Sequence, residues 1–293
     1  MLDRGTFLQS MTKPKIILVL PALNLAKELK ETLDKVKRTV SKFSNRFCFR
    51  IYVISDGSTD NTHLIMKKWQ SECGLDVEVL KNNKNRGLVE TLKDTYKKVL
   101  RSEEDAHYVL KTDLDKDYDQ EAAISKLLGC IPQGNLSNPS FDMVVGSRTY
   151  KKQELKRMKA CNKTNHEFER REKILKIMKK HFTPDDFDPS SVGSQLYKMA
   201  SLRRVLQNKS VGLFLTWKER YGLDVVIPLA ALFMKMRFKK ISVGSGKYVA
   251  KKSDVAKKRY DTYERIINLF ISRSEGSSSR ARLLRTRRVT SVS

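Results

Sequence analysis

The chain has 293 residues and a strongly basic composition, with 59 Lys and Arg against 33 Asp and Glu and a formal net charge of +26. This length is enough for one substantial hydrophobic core, so one large domain with appendages is expected rather than two equal ones. The positive charge favours partners that carry phosphate, such as nucleic acid, an anionic membrane surface or phosphorylated small molecules, without choosing among them. The longest late apolar run, residues 225–234, is too short to cross a bilayer, so no transmembrane helix is predicted.

Short apolar runs alternate with helix-like periods over the first half of the chain. The predicted strands are residues 16–20, 51–54, 77–80, 108–110 and 143–145. The predicted helices between them are residues 26–40, 59–69, 88–100 and 120–128. Strands separated by helices of this length indicate a parallel α/β sheet. Because ligands bind beyond the carboxyl ends of such strands, the loops that begin at Pro21, Ser55 and Thr112 are expected to share one edge.

The second half of the chain opens on a densely charged segment, residues 151–182. Apolar residues recur there at helical spacing and predict one or two basic amphipathic helices: Phe168, Leu175, Met178 and Phe182. This segment either packs on the main domain through its narrow apolar stripe or lies on anionic lipid headgroups. A further unit spans residues 197–243. A last helix follows residue 251 and carries an apolar stripe of its own: Tyr263, Ile266, Ile267 and Phe270.

The four cysteines are widely spaced and form no zinc-binding pattern: Cys48, Cys73, Cys130 and Cys161. Free thiols are the simplest interpretation. They favour a reducing compartment, and we therefore expect the protein in the cytoplasm.

Three aspartates occupy alternate positions directly after the fourth predicted strand: Asp113, Asp115 and Asp117. In an extended chain, alternate side chains point to the same side, where three carboxylates repel one another unless a cation joins them. The spacing therefore predicts an oxygen-ligand site for Mg²⁺ or Mn²⁺, of the kind that holds a substrate diphosphate. An acidic loop at a strand end, without a metal, is the alternative.

Two further polar strings stand at predicted strand ends. The first is Pro21-Ala22-Leu23-Asn24, and the second is Ile54-Ser55-Asp56-Gly57-Ser58-Thr59-Asp60-Asn61-Thr62. Gly57 permits a tight turn, and the polar residues after it can cap the following helix. Since Asp56 stands at the strand tip, its carboxylate is expected to face a ligand above the sheet.

These strings resemble, in the same order, the motifs of family 2 glycosyltransferases with the GT-A fold. Residues 54–62 resemble the family's Asp-Asp-Gly-Ser-Thr-Asp-x-Thr signature, with Ser55 in place of the first Asp. Three later segments resemble its Asn-x-Gly-x-Gly, metal-binding Asp-x-Asp and Asp-x-Val-x-Gly-Ser-Arg segments: Asn85-Arg86-Gly87-Leu88, Asp113-Leu114-Asp115 and residues 142–148. The resemblance covers residues 14–150 and becomes fainter toward residue 245.

Within that family, the chain is most similar to the dolichyl- and polyprenyl-phosphate mannose synthases. Their Asp-x-Asp-x-Gln-His-x-Pro-Glu segment aligns with residues 113–121 without a gap, and Asp117 takes the position of a metal-binding Gln. Those enzymes grip the lipid phosphate with an Arg-x-x-x-Ser-x-x-x-Asn segment. Arg157, Cys161 and Asn165 match this segment, with Cys161 in place of Ser.

The resemblance implies an α/β protein with the GT-A (Rossmann-like) nucleotide-sugar-binding fold and a mostly parallel central sheet. A basic amphipathic helical insertion and a C-terminal helix would extend it. The implied divisions are an N-terminal tail at residues 1–13, a catalytic domain at residues 14–250 with its acceptor-side insertion at residues 151–190, and a C-terminal helix at residues 251–276. Residues 277–293 are rich in Ser and Arg and are expected to be disordered, as an electrostatic tether to phosphates or as a solubilising tail.

The resemblance also implies inverting, metal-dependent transfer of a hexose from a GDP- or UDP-sugar to a polyprenyl or dolichyl phosphate. The implied donor-binding residues are Pro21, Ala22, Asn24, Asp56, Gly87, Asp113 and Leu114. The implied ligands of Mg²⁺ or Mn²⁺ are Asp113, Asp115 and Asp117. The residues expected at the reacting groups are Asp115, Arg148, Arg157, Asp188 and Asp224.

The chemistry of the acceptor decides which of these residues would act. A phosphate monoester is already a nucleophile near neutral pH and needs no strong base, so Arg157 would position it. A sugar hydroxyl must lose a proton, which Asp188 or Asp224 would accept. Each aspartate also has a structural interpretation, Asp188 as a turn residue before Pro189 and Asp224 as a buried hydrogen-bonding group.

Two other functions are open on the sequence alone. A family 2 enzyme could instead act on a glycan or protein hydroxyl. The chain could also be a nucleic-acid-binding protein on an inactive GT-A scaffold, but aromatic residues are not interleaved with its basic runs as single-strand binders require. We therefore expect a cytoplasmic enzyme at the cytoplasmic face of an anionic membrane, and no nucleic-acid partner.

Overall fold

The computed structural model describes residues 13–115, 119–133, 140–150, 152–181, 193–246 and 253–275. Within these ranges the strands are β1 (Lys15–Ala22), β2 (Cys48–Ser55), β3 (Val77–Lys81), β4 (Tyr108–Thr112), β5 (Met143–Tyr150), β6 (Ser194–Lys198) and β7 (Phe238–Gly246). The helices are α1 (Leu29–Lys42), α2 (Thr62–Glu72), α3 (Leu88–Ser102), α4 (Gln120–Gly129), α5 (Lys152–Asn165), α6 (Glu167–His181), α7 (Met199–Leu206), α8 (Lys209–Thr216), α9 (Leu223–Phe233) and α10 (Ser253–Glu275). Every strand and helix predicted for residues 16–145 is present. The largest difference is at β5, which continues five residues beyond its predicted end, to Tyr150.

The strands form one mixed sheet in the order β3-β2-β1-β4-β6-β5-β7. β1 is parallel to β2 and β4, β3 is parallel to β2, and β7 is parallel to β5. Among these seven strands, only β6 runs the other way, antiparallel to β4 on one side and to β5 on the other. The mostly parallel sheet expected from the sequence is confirmed. The antiparallel β6 is an addition to that prediction, and its first residue, Ser194, lies beside Thr112 at the edge where β4 ends.

Helices cover both faces of the sheet because its central strands are apolar on both sides. In β1, Ile16 and Leu18 pack with α1, α2 and α4, whereas Ile17 and Val19 pack with α3 and the helices of the second half. The predicted apolar stripe of α1 is buried: Leu29, Leu33, Val36 and Val40. This alternation fixes the strand register, since a shift by one residue would exchange the two faces.

The charged segment after β5 forms a helix pair, α5 and α6. α6 buries Ile174 and Met178 in the core. An ion pair joins α6 to α10, with Lys173 Nζ 2.8 Å from Glu264 Oε2. Two other residues of the predicted stripe are partly buried: Phe168 and Leu175. The segment therefore packs on the domain through a narrow stripe, and the last predicted stripe residue, Phe182, lies outside the described residues.

The C-terminal helix α10 confirms the apolar stripe predicted for it. Its four inward residues are all buried: Tyr263, Ile266, Ile267 and Phe270. No helix in the described part of the chain is both long enough and apolar enough to cross a bilayer. Three cysteines are free thiols, Cys48, Cys73 and Cys130.

Candidate active site at the carboxyl edge of the sheet

The loops that follow β1, β2 and β4 meet at one edge of the sheet, as the sequence predicts. Ala22 at the end of β1 pairs in register with Ser55 at the end of β2, and the backbone N–H of Asp56 donates to the Ala22 carbonyl oxygen at 3.0 Å. On the other side of β1, β4 ends at Thr112, whose Oγ1 lies 2.6 Å from Ser194 Oγ at the start of β6. Hydrogen bonds between neighbouring strand ends therefore make this edge a continuous surface.

The loops after β1 and β2 are bonded to each other by polar side chains. Asn24 has a φ of 53°, a left-handed conformation that Asn tolerates. Its Oδ1 accepts from the Thr59 N–H at 2.9 Å, and its own N–H donates to Ser58 Oγ at 3.1 Å. The Ala26 N–H donates to Asp60 Oδ2 at 3.0 Å. Ser58 thus joins the two loops, and of the polar residues expected to cap α2 it is Asp60 whose Oδ1 accepts from the Thr62 N–H at 3.0 Å.

Asp56 is only 5% exposed, and both oxygens of its carboxylate accept hydrogen bonds from the protein. Oδ1 accepts from Thr91 Oγ1 at 2.7 Å, from Asn82 Nδ2 at 2.9 Å and from the Arg86 N–H at 3.1 Å, while Oδ2 accepts from the Gly87 N–H at 3.0 Å. A buried carboxylate needs several such donors to offset its desolvation. The carboxylate is therefore directed into the loop between β3 and α3. This corrects the expectation that it faces a ligand directly.

Two glycines allow these loops to approach one another closely. Gly57 has a φ of +68°, and a Cβ at this position would lie 2.0 Å from the carbonyl carbon of Lys84. Gly87 has a φ of +87°, and its Cβ would lie 3.0 Å from the Cα of Arg220. Any other residue would be strained at both positions. The contact at Gly57 holds the β3–α3 loop against the end of β2.

The acidic loop after β4 is held by Gln120 from the first turn of α4. Its Nε2 donates to the carbonyl oxygens of Asp115 at 2.8 Å and Asp113 at 3.3 Å. The Asp113 and Asp115 side chains are partly exposed, whereas Leu114 between them is fully buried. Leu114 could therefore contact a bound nucleotide sugar only through its main chain. The side chains of the two aspartates remain accessible.

Lys111 is a fully buried lysine in β4, and sequence reasoning missed it. Its Nζ donates to Asp113 Oδ1 at 2.6 Å and to the Gly193 carbonyl oxygen at 3.0 Å. Lysine is almost never fully buried without such partners. The available signal was a charged residue within the apolar strand Tyr-Val-Leu-Lys-Thr at residues 108–112.

Asp224 lies in the first turn of α9. The pKa of its carboxyl group is raised, mainly because the group is buried. The charge of Lys111 lowers this pKa and the charge of Asp113 raises it further. The carbonyl oxygen of Asp224 accepts from Gln195 Nε2 at 2.6 Å, and the Gln195 Oε1 accepts from the Tyr197 hydroxyl. A carboxylate with a raised pKa is suited to accept a proton near neutral pH.

The two arginines expected to meet phosphates lie on neighbouring elements. Arg148 is partly buried near the carboxyl end of β5, at a shift in the register with β7. Because β5 runs in the same direction as β4, Arg148 lies at the same edge as Asp113. Arg157 lies on α5 with 59% of its side chain exposed, and its Nη1 is 3.0 Å from Glu154 Oε1.

Comparison with known families shows which family the chain belongs to. The sequence model described as glycosyl transferase family 2 matches residues 17–206, which is more than half of the chain. The chain belongs to glycosyl transferase family 2. The prediction of the family, and with it of a glycosyltransferase, is confirmed. A search of curated protein sequences gave no match.

Solved structures of other glycosyltransferases share the fold of this family 2 member at low sequence identity. Glucosyl-3-phosphoglycerate synthase from Mycobacterium tuberculosis, in complex with Mn²⁺, UDP-glucose and phosphoglyceric acid, is 16% identical with a TM-score of 0.54, covering 89% of this chain and 79% of that one. Mannosyl-3-phosphoglycerate synthase from Rubrobacter xylanophilus is 14% identical with a TM-score of 0.59, covering 90% of this chain and 75% of that one. These similarities confirm the expected α/β GT-A fold. Neither protein is a polyprenyl-phosphate mannose synthase, so the closer resemblance to those enzymes stays a prediction.

The aspartates of this glycosyltransferase fit a divalent cation. Asp113 and Asp115 offer hard oxygen ligands at a partly exposed strand end, and Mg²⁺ at a substrate diphosphate needs only one or two carboxylates. Lys111 bonds to one oxygen of Asp113, which leaves a carboxylate with further acceptor capacity. Among the described residues, no group of three His, Cys, Asp or Glu side chains could hold a metal. The third predicted ligand, Asp117, lies outside those residues.

Other parts of the predicted site also lie outside the described residues. They include Asp188 and the side chains of Cys161 and Asn165. The backbone of α5 nevertheless places Arg157, Cys161 and Asn165 at successive four-residue steps on one helix face. The match to the phosphate-gripping segment is thus compatible with the helix.

Proposed function

We propose that this family 2 glycosyltransferase transfers a hexose from a UDP- or GDP-sugar to a polyprenyl phosphate, with inversion at the anomeric carbon. One observation carries the donor half of this proposal: the Asp113–Asp115 loop, the loop held by Asp56, and Arg148 occupy the same edge of the sheet. Carboxylates for a cation and an arginine for phosphate are the groups that a nucleoside diphosphate requires.

The donor half of the proposal concerns the leaving group. As the bond to the anomeric carbon breaks, negative charge grows on the departing nucleoside diphosphate. Bound Mg²⁺ or Mn²⁺ supplies Lewis-acid stabilisation of that charge. Asp113 and Asp115 would hold the ion, Arg148 would bind a phosphate oxygen, and the bonded loops after β1 and β2 would enclose the base and ribose. Gln120 keeps the two aspartates in position through their carbonyl oxygens.

The acceptor half rests on positive charge next to the site. A phosphate monoester attacks without a strong base, so its recognition depends mainly on cations. Arg157 is exposed on α5, which begins two residues after β5 ends. On α6, four lysines are exposed, of which Lys173 is paired with Glu264: Lys173, Lys176, Lys179 and Lys180. Such a surface suits an anionic lipid headgroup, which supports a cytoplasmic enzyme peripheral to a membrane.

A second candidate acceptor is a hydroxyl group, on a glycan, a protein or a small phosphorylated acid. Asp224 favours it, because a raised pKa beside Asp113 fits a general base. Phosphoglyceric acid, present in the similar structure from Mycobacterium tuberculosis, carries both a phosphate and a hydroxyl group. In this reaction Asp224 would take the hydroxyl proton while the cations bind the phosphate.

Transfer assays with the full chain distinguish these acceptors. Each UDP- and GDP-hexose is incubated with Mn²⁺ and either polyprenyl phosphate, 3-phosphoglycerate or an oligosaccharide, and products are identified by mass spectrometry. We expect a hexosyl polyprenyl phosphate to form with one of the donors. Asp115→Asn should lower its formation at least about a hundredfold, because the charge on the leaving group loses its stabilisation.

Asp119→Asn is the matched control for that substitution. Asp119 lies in the same acidic run, and its Oδ1 accepts from the Ala122 N–H at 3.0 Å as the cap of α4. Asn keeps this cap while removing the same charge, so activity should stay near that of the wild type. If only 3-phosphoglycerate or the oligosaccharide gives a product, the acceptor is a hydroxyl group and not the lipid phosphate. If no donor gives a product, the proposal is refuted.

A further inference from the structure

The buried ammonium group of Lys111 stands beside a predicted metal ligand. Lys111 is 0% exposed, and its Nζ lies 2.6 Å from Asp113 Oδ1. Its second partner, the Gly193 carbonyl oxygen at 3.0 Å, precedes β6. A charge enclosed in this way interacts strongly with its neighbours because no water screens it. Lys111 therefore places a positive charge in direct contact with Asp113.

Lys111 is held in place by the sheet around it. It pairs in register with Val19 of β1 and with Gln195 of β6, so its backbone lies in the interior of the sheet. Asp113 follows two residues later along the chain. The ammonium group is therefore held beside Asp113 by burial and by its bond to the Gly193 carbonyl oxygen, unlike that of a surface lysine.

A divalent cation on Asp113 would sit next to this fixed charge. At the separation imposed by a shared carboxylate, about 5 Å, the repulsion between a dication and an ammonium group weakens binding of the ion alone by at least about tenfold even at high dielectric constant. A nucleoside diphosphate adds negative oxygens to the same place and offsets that repulsion. The ion and the nucleotide should then bind well only together.

We propose that Lys111 is a positioning residue that makes divalent-cation binding at Asp113 dependent on the nucleoside diphosphate. This inference rests on the proposed function, since it concerns the same ion and donor. By suppressing occupation by the ion alone, Lys111 leaves the aspartates ready for the ion–donor pair. A lysine that merely supports the fold would affect stability and leave the coupling between ion and nucleotide unchanged.

Mn²⁺ binding, measured by electron paramagnetic resonance, tests the coupling without turnover. The full chain, Lys111→Gln and Lys111→Met are each titrated with Mn²⁺ alone and then with saturating UDP or GDP. We expect both variants to bind Mn²⁺ alone about tenfold or more tightly than the wild type, and the enhancement by nucleotide to shrink by the same factor. Gln keeps a hydrogen-bond donor and Met keeps the length, so a shared effect identifies the charge.

Lys15→Gln is the control for net charge. Lys15 begins β1 at the opposite edge of the sheet, 2.9 Å from Glu103 Oε2, and its replacement should leave Mn²⁺ binding unchanged. Folded variants of Lys111 that bind Mn²⁺ alone no more tightly than the wild type would overturn the inference, as would loss of the fold in both. Mn²⁺ binding that fails in the wild type with either nucleotide would remove the proposed function as well.

Discussion

The raised pKa that suits Asp224 to a role as a base also lowers the stability of the folded protein. The pKa of Asp224 is raised in the folded protein, mainly by burial and against the effect of Lys111. A raised pKa means that the folded state favours the protonated carboxyl group. The stability contributed by this group is complete below the pKa of the unfolded chain, about 4, and is lost as pH rises through the folded value. At neutral pH, which lies above the pKa of the unfolded chain, burial of Asp224 therefore destabilises the protein.

Asp224→Asn should accordingly stabilise the protein at pH 7. We expect the midpoint of thermal unfolding, followed by circular dichroism, to rise by about 2 °C or more, and the gain to disappear below about pH 4, where Asp becomes protonated in both states. Transfer to polyprenyl phosphate should fall by less than about tenfold, since that acceptor needs no base, whereas transfer to a hydroxyl should fall at least about a hundredfold. A lower midpoint at pH 7 would contradict the raised pKa.

The residues whose position in the fold could be predicted from the sequence are those with a local signal. Asp113 and Asp115 follow a strand at alternate positions, and this pattern alone placed them at the carboxyl edge. The partners of Asp56 were not predictable in the same way, because Asn82 and Thr91 reach it from another loop and another helix. Its burial depends on packing between elements that are distant along the chain.

At the scale of elements, the contact between Gly57 and the β3–α3 loop leaves no room for a larger residue. Gly57→Ala would place a Cβ 2.0 Å from the carbonyl carbon of Lys84, on a backbone with a φ of +68°. We expect a loss of about 2–3 kcal/mol in the free energy of unfolding, measured by urea denaturation, together with weaker nucleotide binding. Both effects would follow from displacement of the β3–α3 loop.

Gly74→Ala is the matched control for this substitution. Gly74 has nearly the same φ, +67°, but nothing lies within 4 Å of the Cβ it would acquire. It should cost about 1 kcal/mol from backbone strain alone and leave nucleotide binding unchanged. Equal losses at the two positions would show that the loop contact contributes nothing.

The order of the elements was predictable, and their pairing was less so. Apolar runs of strand length and helical periods gave every element as far as β5, since both patterns are local. The direction of β6 was not predictable, because Ser194–Lys198 carries no mark of antiparallel pairing. Its pairing matters for the site, since it brings Gly193 to Lys111. Asp188 precedes β6 in the chain but lies outside the described residues, so its role as a base stays a prediction.

At the scale of the whole molecule, the basic residues behind the net charge of +26 include exposed lysines on both sides of the sheet. α2 packs in the apolar cluster on one face, and α6 packs in the cluster on the other. Each helix carries a pair of exposed neighbouring lysines, Lys67 and Lys68 on α2 and Lys179 and Lys180 on α6. The two pairs have equal charge and lie on opposite sides of the sheet. Substitutions in each pair therefore distinguish binding by one basic surface from binding by net charge.

Binding to anionic vesicles should depend on the pair on α6. We expect the protein to sediment with phosphatidylserine-containing vesicles at low salt and to be released as the screening length falls with added salt. Replacing Lys179 and Lys180 by Gln should weaken binding by about tenfold or more, since each lysine near a membrane surface contributes about 1 kcal/mol. Replacing Lys67 and Lys68 by Gln removes the same charge from the other side and should change binding little. Equal losses from both pairs would mean that net charge alone attracts the membrane and would remove the special role proposed for the basic surface of α6.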